Sequence, residues 1–253
     1  MIAKIKKICS VGFINLLTIA AWCQTGEVVF GIQVSPTVGW MKTNDNLINS
    51  NGVKVGIKIG GLGEYYLSDW MAVSVGFGFS FSQGGALLHR IGGNFLPNSE
   101  LSDDDLNHGE KPLPDDVDIT YSLHVLDIPF GAKYVLRTSG DLDFFAEFPV
   151  FTISLVGQSR GAIQATGIDI KGEDIGKDVN ALNFSWGFGA GIERILDSAK
   201  LLQAGLYFQN GLADLTRDEA IKVEELADGT RQVSLEDSRG VLNMIIFKFA
   251  IFF

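Results

Sequence analysis

The chain has 253 residues, enough for one ordinary domain or one closed barrel, and carries 20 basic against 30 acidic residues. That net charge of −10 argues against nucleic acid as a partner. A mean hydropathy of +0.21, with 30 glycines and 18 phenylalanines, is unusually apolar for an acidic protein dissolved in water, yet beyond the N-terminus no run is long enough for a membrane helix.

The first element reads as an export signal over residues 1–23. Lys4, Lys6 and Lys7 form a basic start, Ile8 to Trp22 an apolar centre, and Ala21-Trp22-Cys23-Gln24 a cleavage region with small residues at Ala21 and Cys23. An uncleaved anchor is the competing reading. It is disfavoured because the run is shorter than the ~20 residues of a spanning helix and Asn15 interrupts it. Lipidation of Cys23 is disfavoured by the bulky Trp22 before it. Cleavage takes three lysines away, so the mature charge becomes −13, and both cysteines, Cys9 and Cys23, leave with the signal.

Residues 24–253 alternate in eight segments, near 27–41, 53–67, 71–84, 119–136, 142–157, 181–195, 201–214 and 240–253. In Met71 to Ser82 every odd position is large and apolar and every even one is Ala, Gly or Ser. Such a period of two puts one set of side chains on each face of a sheet. Leu182, Phe184, Trp186, Phe188, Ala190 and Ile192 repeat the pattern against Asn183, Ser185 and three glycines. A soluble sheet would turn charges outward on its second face, whereas small residues suit the crowded interior of a narrow barrel with the bulky row in lipid. The connections alternate strictly. Ser68-Asp69-Trp70, Arg137 to Asp141 and Asp197 to Lys200 are short, and those at 42–52, 85–118, 158–180 and 215–239 are longer. An eight-stranded, antiparallel, up-and-down transmembrane β-barrel with both termini inside demands this sorting. The last strand ends on a row of Ile245, Phe247, Phe249, Ile251 and Phe253, with Lys248 on the opposite row. A terminal Phe there resembles the signal read by the barrel assembly machinery. Trp40, Tyr65, Tyr66, Trp70, Tyr121 and Tyr134, at strand ends, are candidates for interfacial girdles.

Leu126-Asp127-Ile128-Pro129-Phe130-Gly131-Ala132-Lys133-Tyr134 resembles the "L-E-I-P-x-x-x-K-Y" strand of the PorT-like outer-membrane barrels of Bacteroidetes, with Asp127 for the usual Glu. Glu64-Tyr65-Tyr66-Leu67-Ser68-Asp69, before an alternating strand, is similar to that family's second hairpin. The specific motifs cover about a tenth of the chain and imply location and fold. Most members of the family have no assigned activity, so the resemblance implies no particular role.

Alternation puts Lys54, Lys58, Glu64, Asp127, Lys133, Glu193 and Lys248 on the lumen rows, joined by Glu147 if Pro149 leaves its register intact. Four bases and four acids either line a gated polar pore or form a static salt-bridge network, and an eight-stranded barrel is only just wide enough for its own side chains. His89, His108 and His124 have no metal-ligand spacing, so no metal and no cofactor are expected. His124 and Asp127 point to opposite faces. Ser122 shares a face with His124, which is too little to assign catalytic residues, and the expectation is a non-enzyme.

Residues 85–118 hold eight acids against Arg90 and Lys111, and Asp103-Asp104-Asp105 offers oxygen ligands to a divalent cation without the spacing of a calcium loop. Asp228-Gly229, between Ile221–Glu225 and Gln232–Glu236, suggests that the seventh and eighth strands extend as a hairpin. Its edge is one to which a partner strand can add. The expected partners are therefore outer-membrane lipid, the assembly machinery and a protein at the outer loops. The leading function is structural or interaction-based, at the cell surface or as a subunit of an envelope machine. A narrow channel or small-ligand binder and a lipid-modifying enzyme are the alternatives.

Overall fold

The computed structural model describes residues 26–106, 113–197, 200–226 and 230–253. The export signal, His108, the turn after Asp197 and Asp228-Gly229 lie outside the described residues. Eight long strands close into a ring: β1 (Val28–Lys42), β2 (Ile48–Ser68), β3 (Met71–His89), β5 (Val117–Leu136), β6 (Leu142–Ala165), β8 (Leu182–Asp197), β9 (Lys200–Gly211) and β12 (Val241–Phe252). Each pairs antiparallel with the next, and β12 pairs with β1 through Gly31–Phe252 to Lys42–Val241. The ring leaves no free edge within the wall. Four short elements stand outside it: β4 (Gly93–Asn94), β7 (Ile168–Asp174), β10 (Ile221–Glu225) and β11 (Arg231–Leu235).

The bulky rows face outward. Phe77, Phe184 and Phe249 are 57, 42 and 54 % exposed, while Ser74, Ser80 and Ala72 on the opposite row of β3 are buried. Each such aromatic would cost ~1.5–3 kcal/mol if left in water. A belt of them around a closed wall therefore requires hydrocarbon outside. On β3 the belt runs from Val73 to Phe81, close to the roughly 9–11 residues a tilted strand needs to cross it.

Inside, the two halves of the barrel differ. At the short-turn end the inward rows carry charges. At the other end Met41, Leu87, Ile119, Tyr121, Leu123 and Leu242 meet Phe95, Leu96, Leu101, Leu113, Ile175 and Leu215 from the long connections in one buried apolar cluster. The connection after β3 is clamped there by carboxylates. Asp178 accepts from the Asn98 backbone N–H (3.1 Å) and Ser99 Oγ (2.5 Å), and Glu173 from the Ser102 backbone N–H (2.8 Å) and Oγ (2.5 Å).

Several expectations need correction. Tyr66 and Tyr121 are not girdle residues. They share rows with Glu64 and Asp127 and point inward, whereas Trp70 and Tyr134 do stack outside, 6.4 Å apart. The segment 158–180 is not simply a loop, because β6 continues to Ala165 and returns as β7. The hairpin β10–β11 does not prolong the seventh and eighth ring strands, β9 and β12. It forms a separate sheet in the order β11-β10-β4, since Ile221 and Lys222 pair with Asn94 and Gly93.

Two irregularities position the interior. Around Pro149 the pairing slips between Glu147 and Val150, so both side chains point inward and the missing proline N–H falls where the ladder is already broken. In β3 the pairing with β5 slips between Ser80 and Gln83. Gly84, at φ +147°, passes so close to β5 that an added Cβ would lie 2.0 Å from the Tyr121 carbonyl oxygen.

The small inward residues are there for backbone approach as much as for lumen space. A Cβ on Gly60 would lie 2.0 Å from the Phe77 carbonyl oxygen, whereas one on outward-facing Gly63 meets nothing nearer than 3.6 Å. Gly60→Ala is therefore expected to lower barrel stability by about 1–3 kcal/mol, with Gly63→Ala near neutral. Urea unfolding from lipid vesicles measures both.

Candidate functional site in the barrel interior

Three groups of ionised side chains stack along the inner wall. Nearest the apolar cluster, Lys58 Nζ lies 2.6 Å from Asp127 Oδ2. Asp127 also accepts from Ser80 Oγ (2.7 Å), Ser154 Oγ (2.6 Å) and Gln83 Nε2 (3.4 Å), the last delivered by the β3 slip. In the middle, Lys248 Nζ lies 2.8 Å from Glu147 Oε1 and 4.3 Å from the centre of the Tyr207 ring. Glu147 also accepts from Tyr207 Oη (2.5 Å) and Ser74 Oγ (3.3 Å).

Toward the short turns, Lys133 Nζ sits between Glu64 (2.7 Å) and Glu193 (2.6 Å), with Tyr66 Oη donating to Glu64 at 3.0 Å. The rings of Phe145, Tyr66 and Phe252 surround the same ammonium at 5.2 to 5.8 Å. Arg137 extends this group, lying 2.9 Å from Asp143 and 3.7 Å from Glu193.

The fold thus brings together Lys58, Glu64, Asp127, Lys133, Glu147, Glu193 and Lys248 in pairs drawn from different strands. Lys54 is not brought in. It stands on the inward row of β2 but half-exposed, in the short stretch between Val53 and Ile57 where β2 and β3 are not paired, with no carboxylate within 4 Å among the described residues. Arg137, Asp143, Tyr66 and Tyr207 were missed by sequence reasoning. Row parity reveals three of them, since Tyr66 follows Glu64 by two, Asp143 precedes Glu147 by four, and Tyr207 shares a row with Gln203 and Gln209. Arg137 lies beyond its strand, where alternation says nothing.

A buried ion pair gains from Coulomb attraction and loses by desolvation, so it specifies pairing more than it stabilises. Glu64, Asp127 and Glu147 meet that cost with extra hydrogen bonds from hydroxyl groups, whereas the oxygens of Glu193 have ion-pair contacts but no hydrogen-bond partner. The space left between Lys58, Glu64, Glu147, Tyr207 and Lys248 is about 40 Å³, water-sized. Among the described residues no three His, Asp or Glu side chains converge as metal ligands. Ser122 and His124 open on the outer surface of the wall while Asp127 is buried within it, so the three do not meet.

The sequence profile of the outer membrane protein beta-barrel domain matches residues 23–217, more than half of the chain. The chain belongs to that family. Its apolar belt accordingly sits in an outer membrane, and barrels of this kind carry their short turns on the periplasmic side. The comparison with curated proteins finds no match. Among solved structures the barrel is similar to Neisserial surface protein A (11 % identity, 88 % of this chain and 95 % of that one, TM-score 0.38). It is also similar to Ail of Yersinia pestis (10 %, 88 % and 99 %, 0.33) and to the N-terminal barrel of Pseudomonas aeruginosa OprF (10 %, 86 % and 96 %, 0.32). These likenesses are too distant in shape to bear on function.

Proposed function

We propose that this outer-membrane barrel neither conducts nor catalyses, and that it works through its outer face, in adhesion, in envelope integrity or as a subunit of an envelope machine. The observation that carries this reading is the filled interior. Paired charges occupy the periplasmic half, and the apolar cluster of Phe95, Leu96 and Ile175 occupies the outer half. Charged side chains need either water or a partner, and here all the inward charges but the half-exposed Lys54 have partners. What remains available is outside, where β11 is exposed on both faces along a free edge and Val233 and Leu235 stand open to solvent. Within the family, the strand Leu126–Tyr134 supports a PorT-like assignment, and residues 1–23 support delivery by a cleaved signal peptide.

In planar bilayers the purified barrel is expected to show no unitary conductance. Steady conductance that vanished in Lys248→Glu would replace this reading with a narrow channel. In cells, a photo-crosslinking residue at Val233 is expected to trap one discrete protein adduct. Changed envelope lipids in a deletion strain would instead favour an enzyme.

A further inference from the structure

The lipid-facing wall is not evenly convex. Where β1, β12, β9 and β8 pass the periplasmic half of the belt, it holds an apolar groove of about 520 Å³. Ala204 forms part of its floor, and Val34, Ile192, Leu202, Phe249 and Ile251 form its sides. The cause is local. Ala204 occupies an outward position of β9 between Leu202 and Leu206, and its cross-strand neighbour is Ile192, so a bulky side chain is missing from the wall at this point.

The groove has a polar end. Arg194 lines it, paired across the sheet with Leu142 and Leu202 and so close to the periplasmic turns. Its side chain is 59 % exposed and lies 3.8 Å from Asp141, an open contact that leaves the guanidinium able to bind an anion.

We propose that this groove is a phospholipid site, with an acyl chain along Ala204 and the phosphate on Arg194. The surface lies in hydrocarbon, so what fills it is apolar there, and the cation stands at its periplasmic end, where the headgroups begin. A phospholipid is the occupant that joins an apolar tail to an anion across that boundary. The volume falls within the ~300–1,000 Å³ of ordinary ligand pockets. No hydrophobic gain separates one acyl chain from its neighbours in a bilayer, so residence depends on shape in the groove and on charge-assisted hydrogen bonds to phosphate.

The test is native mass spectrometry of the folded mature barrel in mild detergent, with phosphatidylglycerol added. One lipid is expected to remain at activation that strips the others. Ala204→Leu, which fills the groove, and Arg194→Gln, which removes the cation, should each lower its occupancy about tenfold. Diacylglycerol with the same chains should bind as weakly as phosphatidylglycerol does to Arg194→Gln. Both substitutions face lipid, and a heat-dependent gel shift checks that the variants still fold. Equal shedding of lipid by wild type and both variants would overturn the site. Loss in Ala204→Leu alone, with Arg194→Gln unaffected, would overturn the phosphate contact, and a dimer mass abolished by Ala204→Leu would assign the groove to a second copy instead.

Discussion

Lys133→Met is expected to lower the stability of the folded barrel by about 3–5 kcal/mol, the cost of leaving an uncompensated buried charge. The lysine is fully buried and holds two carboxylates, Glu64 at 2.7 Å and Glu193 at 2.6 Å, themselves almost wholly shielded. Its removal leaves Glu64 with Tyr66 and the long contact to Gln203, and Glu193 with Arg137 at 3.7 Å. Lys248→Met should cost less, because Glu147 keeps the hydroxyls of Tyr207 and Ser74. The triple change Lys133→Met, Glu64→Gln, Glu193→Gln should recover much of the loss, since the carboxylate charges go with the cation. Urea midpoints for folding into lipid vesicles give all three comparisons. A midpoint for Lys133→Met equal to wild type would show that the two glutamates need no cation.

A second large effect is expected from pH at the outer mouth. His89 lies beyond the apolar belt on β3, 4 % exposed, its ring 4.0 Å from that of Phe95, and its Nδ1 has no hydrogen-bond partner. Burial pushes its pKa down from 6.5 to about 4, only partly offset by backbone groups of Val117 and Leu87. Lys222 also lowers it and Asp45 raises it, the two being ion-paired with each other. With the mouth closed, His89 is neutral down to about pH 4. With the mouth open, it takes up a proton near 6.5. The open form thus binds more protons between these values, and closure weakens as pH falls through that window, by roughly 3 kcal/mol in all.

Asp214 and Glu236 act in the opposite sense. Burial raises both, so protonation favours the closed form as pH falls. His89→Asn isolates the histidine. The backbone amides of Gly93 and Leu113, which bond to each other's carbonyls at 2.9 and 2.8 Å, report on closure. Their hydrogen exchange, corrected for intrinsic rate, should rise from pH 6.5 to 4 in wild type and much less in His89→Asn. Equal pH dependence in both would remove His89 from the account.

The barrel wall was legible because its signal is local. A period of two in Met71–Ser82 assigns each side chain to one face without knowledge of the neighbouring strand, and the sorting of short and long connections then orders the strands. The same parity placed Lys58, Glu64, Asp127, Lys133, Glu193 and Lys248 on the inner rows. It could not say which meets which, because the partners lie on strands far apart in sequence, as in Glu147 with Lys248.

Parity also fails wherever a strand slips. Pro149 marked one such place, and the Ser82–Gly84 irregularity gave no comparable warning. The outer elements were hardest to read. Ile221–Glu225 and Arg231–Leu235 look like continuations of β9 and β12, and only contact with Gly93-Asn94 draws them into a sheet of their own.

The amino-acid sequence alone determined the antiparallel wall and the inner rows on which Lys58, Glu64, Asp127, Lys133, Glu193 and Lys248 lie, since both follow from alternation, loop length and row parity along one chain. Tertiary structure alone decided the ion pairs, the apolar closure of the outer mouth and the groove beside Ala204. These depend on distances between strands, which are set by register, by slips in the pairing and by how closely backbones approach at Gly60 and Gly84.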